Sequence, residues 1–315
     1  MTGKPKMDRA AGDGPITGSA VLGPDPSSKV SKITSWKTRS LKSLALVASL
    51  TAAPIAVGLG CEPSFVVGEW KCLTGTEQSA TSALDFVVPD APLELPWSSS
   101  FEDGFCGYFD IGGFCYANSA AEYSLVESPT HSGRYAAAYR ISGQAADGLQ
   151  ARCVRHGELP KQAYYGAWFY IPDPVTRADT WNLFHFEGRS REDPQSEEQH
   201  GLWDVSLRVD TDGALRAYVF DFLRSMTVPI PDGQEIPLRT WFHLEVHLER
   251  SADETGRFEL YINGVQVWST SDVVTDDTEL GQWYVGNFAA QISPELNTLY
   301  VDDVTIDRVR HGADD

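Results

Sequence analysis

Residues 241–269 read WFHLEVHLERSADETGRFELYINGVQVWS, and their pattern decides the fold class. Over 241–250, Phe242, Leu244, Val246 and Leu248 alternate with His243, Glu245, His247 and Glu249. A period of two marks a strand with one face on a core and the other in water. On that reading the His/Glu positions form a solvated stripe. They make no metal site, because His243 and His247 stand about 13 Å apart at roughly 3.3 Å per residue. The runs 257–262 and 265–269 flank Asn263-Gly264. A two-residue hairpin turn needs φ > 0 at both positions, and Asn-Gly meets that need.

The same grammar extends in both directions. Alternating runs occur at 134–142, 148–155, 163–171, 181–187, 203–210, 214–222, 282–289 and 299–307. Asp212-Gly213 reads as a second two-residue hairpin turn. No stretch between them carries a 3.6-residue period. With Trp 9, Tyr 12 and Phe 14 among 315 residues, the composition also favours strands. The expected fold is all-β: a two-sheet antiparallel sandwich of the jelly-roll type over residues 99–311, followed by a short tail, 312–315.

The N-terminal part has a different character. Residues 1–42 hold eight Lys/Arg against three Asp, a net of +5, which leaves −24 for the rest of a chain whose total is −19. An acidic body repels phosphate backbones, so no nucleic acid partner is expected. Residues 44–60, LALVASLTAAPIAVGLG, are apolar and uncharged. A basic region, a short apolar run and small residues before a break make a secretory signal over 1–60. The run is too short for a spanning helix, which takes about 20 residues. Residues 61–98 are rich in Ser, Thr, Pro and Gly and read as a flexible tether.

Five cysteines occur: Cys61, Cys72, Cys106, Cys115 and Cys153. The segment VGLGC at 57–61 resembles a bacterial lipobox, with Gly58 where an aliphatic residue is usual. Lipidation of Cys61 would explain the odd count and leave four cysteines for two disulfides. Four allow three pairings. Cys106–Cys115 is the favoured local pair, since it would close the Gly-rich loop CGYFDIGGFC. The expected location is therefore outside the cytoplasm, as an envelope lipoprotein held to the membrane only by its lipid, or as an extracellular protein.

Four segments carry a family resemblance: HSGRYAAAYRIS (131–142), YYGAWFYIPD (164–173), the block from Trp241 through FELYINGVQV to Val267, and WYVGNFA (283–289) with LYVDDVTI (299–306). In order and spacing they resemble the concanavalin A-like lectin/glucanase superfamily, over nearly the whole body. The resemblance implies a jelly roll that handles carbohydrate. It does not choose among lectins, laminin-G-like domains, glucanases and polysaccharide lyases.

The glucanase branch needs paired carboxylates about 5 Å apart, in a pattern like E-x-D-x-x-E. No such pattern occurs. The lyase branch uses an Arg, a Q-x-H strand and a Tyr-bearing strand. Here LFHFEG resembles the Q-x-H strand, with His185 at the Gln position and Glu187 at the His position. QWYVGNFAA resembles the Tyr strand, with Phe288 at the Tyr position and Tyr284 at the Lys position. Arg152 matches the Arg-bearing strand. A rearranged lyase would use His185 as base with Arg152 and Tyr284.

Sugar-binding faces combine flat aromatics with a few orienting polar groups. By alternation Trp181, His185 and Glu187 share a face, which Arg152 and Tyr284 could join. The leading expectation is thus a lipid-anchored, lectin-like protein that binds a polysaccharide or glycan. The alternatives are a divergent lyase on uronate-containing polysaccharide, and an adhesion or structural module that binds protein. SFEDG (100–104) and YVDDV (300–304) also resemble calcium-site segments of carbohydrate-binding modules. They make Glu102, Asp302 and Asp303 candidate ligands of a structural Ca²⁺.

Overall fold

A computed structural model describes Trp70–Lys71, Glu77–Gln78 and residues 92–312, apart from 110–112, 119, 144, 146–147, 190–199, 231–233 and 277. The basic leader, the apolar run, Cys61 and Cys72 lie outside the described residues.

The elements in chain order are β1 (Trp70–Lys71), β2 (Glu77–Gln78), β3 (Trp97–Ser99), α1 (Cys106–Phe109), β4 (Gly113–Ala117), β5 (Ala121–Val126), β6 (Ala136–Ser142), β7 (Leu149–Gly157), β8 (Gln162–Tyr170), β9 (Thr180–Arg189), β10 (His200–Val209), β11 (Leu215–Asp221), β12 (Met226–Pro229), β13 (Trp241–Glu249), β14 (Gly256–Ile262), β15 (Val265–Val273), β16 (Leu280–Ala290) and β17 (Leu296–Asp307). Every run read from alternation is a strand. The short strands β3, β4, β5 and β12 carry too few residues to show a period.

Two large antiparallel sheets make an all-β sandwich. A seven-stranded sheet runs β12-β11-β10-β9-β16-β7-β4, and an eight-stranded sheet runs β15-β14-β13-β8-β17-β6-β5, with β3 added beside β17. Trp181, Trp203, Trp283, Phe184, Phe186, Tyr165, Phe169 and Phe242 fill the space between them. These rings meet mostly edge to face, as at Tyr165–Trp283 and Phe184–Trp283.

The Asn263-Gly264 turn is as expected, with φ of 48° and 75°. The Asp212-Gly213 hairpin forms with a longer loop. Val209 faces Leu215, Gly213 alone is left-handed (φ 83°), and the Gly213 N–H donates to the Asp210 carbonyl. That is a type I turn closed by a left-handed Gly, which spares Asp212 a positive φ.

Two expectations are corrected. The disulfide is Cys115–Cys153, not Cys106–Cys115. Cys115 and Cys153 stand directly opposite on paired β4 and β7, whereas Cys106 sits in α1 and is disulfide-bonded elsewhere. The polar stripe of β13 is not solvated. His243, Glu245 and His247 are buried. The chain after β17 returns over this face: the His311 N–H donates to Glu245 Oε1, and Arg310 lies over the Tyr261 ring. Tyr164 stacks on His247, and Trp168 packs against His243.

Candidate active site

Strand register builds the candidate site on the outer face of the seven-stranded sheet. One row crosses it as Phe220, Asp204, His185, Tyr284, Val154 and Phe114, on β11, β10, β9, β16, β7 and β4. The row beside it holds Gly201, Glu187, Gln282 and His156. On the other side stand Tyr218, Ser206, Asn182, Phe288 and Gln150, with Arg152 and Tyr116 paired between the rows. Directly opposed side chains on neighbouring strands are about 5 Å apart at Cβ, so these rows are contacts.

His185 is the centre. Its Nδ1 is bonded to Asp204 Oδ1, and its Nε2 lies 3.4 Å from Glu187 Oε2. The rings of Tyr284 and Phe222 meet it edge to face at 5.1 and 5.7 Å. Burial works against a charge here, yet the two carboxylates outweigh it and raise the imidazole to about 9. Glu187 is almost fully buried. Burial alone would favour its neutral form, but His185, Arg189 and the Tyr284 hydroxyl hold it ionised, below the usual range. Arg189 NH2 stands 3.3 Å from Glu187 Oε1, and the Tyr284 hydroxyl donates to Glu187 Oε2 at 3.0 Å. The Tyr284 hydroxyl also contacts Gln282 Oε1. Burial first and Glu187 second push the Tyr284 phenol well above its ordinary value, so it stays protonated.

Arg152 lies over two rings of this cluster. Its guanidinium carbon is 4.5 Å from the Phe288 ring centre and 5.4 Å from that of Tyr284, and NH2 donates to Asn182 Oδ1 at 3.2 Å. Gly286, opposite Arg152, makes room for it. A Cβ there would stand 2.4 Å from the Ala151 carbonyl and 3.2 Å from Arg152 Cγ.

The structure therefore brings together Arg152, His185, Glu187 and Tyr284. It does not bring Trp181 with them. Trp181 is fully buried in the core, where its indole N–H donates to Asn287. The cause is an irregularity in β9: Phe184 pairs with Val285, but Asn182 pairs with Phe288. The break in register reverses the alternation along β9, which has one residue more than β10 there, so Asn182 takes the site face and Trp181 the core face. Alternation also gave no hint of Asn182, Gln282, Arg189 and Tyr116; for Asp204, its parity beside core-facing Trp203 was the one signal.

Glu102, Asp302 and Asp303 converge elsewhere, on the loop 131–135. Glu102 Oε1 accepts the N–H groups of Arg134 and Tyr135, at 2.8 and 2.9 Å. Asp302 Oδ2 accepts those of His131 and Ser132, and Asp303 bonds the His131 ring and the Ser132 hydroxyl. Burial and the adjacent Asp303 push Asp302 up to about 6. Among the described residues no three His, Cys, Asp or Glu side chains are grouped closely enough to hold a metal.

Comparison with known proteins gives one family match. A family described as "Polysaccharide lyase" matches residues 111–305, more than half of the chain. No curated protein matches. Among solved structures, an endo-β-1,4-glucuronan lyase from the fungus Trichoderma reesei is 14% identical, over 61% of this chain and 88% of that one, with a TM-score of 0.48. A cellulose-induced protein, Cip1, is 16% identical over 68% and 98%, with a TM-score of 0.47. An alginate lyase from Chlorella virus is 12% identical over 60% and 89%, with a TM-score of 0.43.

Proposed function

This chain belongs to the polysaccharide lyase family, and from that membership we propose that it cleaves a uronate-containing polysaccharide by β-elimination on its seven-stranded sheet. The expectation of a lectin-like protein is overturned by the family match, and with it the adhesion reading.

One observation carries the proposal: Arg152, His185 and Tyr284 meet on a single face, with the nearby carboxylate of Glu187 already balanced. β-Elimination beside a uronate needs a cation for the carboxylate, a base for the C5 proton and an acid for the leaving oxygen. The Arg152 guanidinium suits the carboxylate, because its planar fork of donors matches that geometry. Neutral His185 takes the C5 proton through Nε2. The C–H electron pair becomes the C4=C5 double bond, the C4–O bond breaks, and the Tyr284 phenol protonates the departing oxygen. The proton held on His185 then restores the phenol. Alone, Glu187 would repel an anionic sugar; paired with Arg189 and His185, it repels far less.

The test is direct. The purified protein is incubated with polyglucuronate, polymannuronate and polyguluronate, and ultraviolet absorbance from the new double bond is followed. Growth of the signal in the wild type and its loss in His185→Ala are expected. No signal on any polyuronate across pH 6–10 would sink the proposal.

Two further parts of the reading stand beside it. A Ca²⁺ on the hard oxygen donors of Glu102, Asp302 and Asp303 would have to draw the three together and replace the loop 131–135 N–H groups that Glu102 and Asp302 now accept. Chelator should then lower the melting temperature, and Asp302→Asn should abolish that response. Export and lipidation at Cys61 rest on residues 1–61 alone, and the mass of the mature N-terminus tests them.

A further inference from the structure

We infer that Asp204 is a positioning residue: from β10 it holds the His185 imidazole by Nδ1, so that the proton resides there and Nε2 is the nitrogen that faces substrate. The inference rests on the β-elimination reading for its catalytic meaning, but not for its structural content.

The geometry is built from both sides. Asp204 and His185 are directly opposed across β10 and β9, and their side chains form a hydrogen-bonded ion pair. Asp204 is buried, so it meets the imidazole with little competition from water. A carboxylate accepts and cannot donate, so its partner nitrogen must carry the hydrogen. Nδ1 is thereby committed as N–H, and the lone pair of the neutral ring is placed on Nε2. The groups facing His185 from the elements packed on it are Asp204 of β10, Glu187 of its own strand, Tyr284 of β16 and the uncharged Phe222 ring after β11. Arg189 meets Glu187 Oε1 at 3.3 Å. Among the described residues, two carboxylates face the ring. Of the two, Asp204 makes the closer contact, on Nδ1. Glu187 is at 3.4 Å from Nε2 and is engaged by the Tyr284 hydroxyl. The two acids are therefore not equivalent: Asp204 sets the tautomer, and Glu187 adds charge beside the working nitrogen.

The test is ring-nitrogen NMR of the intact protein, with His185 assigned by its loss in His185→Gln. In the wild type, His185 should titrate well above an ordinary imidazole, and above that midpoint its neutral form should keep the hydrogen on Nδ1. Asp204→Asn should move the midpoint down by at least one pH unit and populate the other tautomer. It should lower kcat about 10- to 100-fold with little change in KM, the usual loss when a supporting carboxylate is removed. Asp204→Glu should restore part of both. A wild-type His185 that titrates as a free imidazole, or carries its hydrogen on Nε2, overturns the inference even if no variant folds. An unchanged midpoint in Asp204→Asn does the same. Absence of lyase activity on every polyuronate would instead defeat the catalytic reading, while the NMR result would still decide the role of Asp204.

Discussion

At the residue scale, the site depends on which nitrogen or oxygen holds a proton. His185 is pulled up to about 9 by Asp204 and Glu187, against its burial. If its neutral form is the base, kcat/KM should rise with pH through about 9 and level off above it, since that profile reports the free enzyme. Removing one of the two charges in Glu187→Gln should shift the rising limb to lower pH. A flat profile between pH 7 and 10 would exclude His185 as the base. The same shift bears on stability. The folded value lies above the ordinary imidazole value near 6.5, so the contribution is full below about 6.5 and is lost as pH rises through about 9. A shift of that size corresponds to about 3 kcal/mol. In urea titrations, the stability difference between wild type and His185→Gln should therefore shrink between pH 6 and pH 10. Arg152→Lys keeps the charge but loses the planar fork and the stacking on Phe288. We expect kcat/KM to fall about 100-fold, or about 3 kcal/mol of transition-state stabilisation.

At the element scale, β9 and β13 show how neighbours reassign a strand. Across 182–184, an irregularity lets β9 span one residue more than β10 and one fewer than β16. Without it, Trp181 and His185 would share a face, because four residues is an even number. Deleting Leu183 should keep Trp181 and His185 on their native faces, since an odd separation alternates, while widening the register gap to β16. A lowered but still cooperative melting transition is the expected outcome, read by circular dichroism. Asn182→Ala is the milder form. It strips Arg152 of its acceptor and leaves a buried donor unmatched, at a cost of about 1–3 kcal/mol in urea unfolding. On the opposite sheet, Glu245 is fully buried and accepts the His311 N–H, with Arg310 3.8 Å away. A chain ending at Val309 should lose about 1–3 kcal/mol, because the carboxylate loses its donor. Full stability in that chain would show that the returning segment contributes nothing.

At the scale of the whole molecule, two features join distant parts of the chain. The Cys115–Cys153 disulfide closes 38 residues between two strands of one sheet. In the chain-entropy model a loop of that length is worth about 4 kcal/mol. Cys115→Ser with Cys153→Ser should lower stability by an amount of that order, read from denaturant midpoints. The second feature is charge. The chain carries −19 overall, yet with His185 neutral the proposed site sets Arg152 and Arg189 against Glu187 and Asp204 in equal number. A charge-balanced face on an acidic body repels a polyanionic sugar less than the rest of the surface does.

The sequence by itself determined the class of fold, the strands from 134 onward, the left-handed Asn-Gly turn and four of the side chains now grouped at the site: Arg152, His185, Glu187 and Tyr284. These are readable locally, because pleat and turn dihedrals impose a period of two and a need for φ > 0 wherever they occur. Only the tertiary structure decided the face of Trp181, the burial of His243, Glu245 and His247, the partner of Cys115, and the place of Asp204 beside His185. Each of these depends on a register between strands, or on a segment that returns from far along the chain. One extra residue in a strand flips every side chain beyond it, and Asp204 meets His185 only because β10 folds back on β9. Local pattern names the chemistry available to a strand. Pairing across the sheet decides which of it meets.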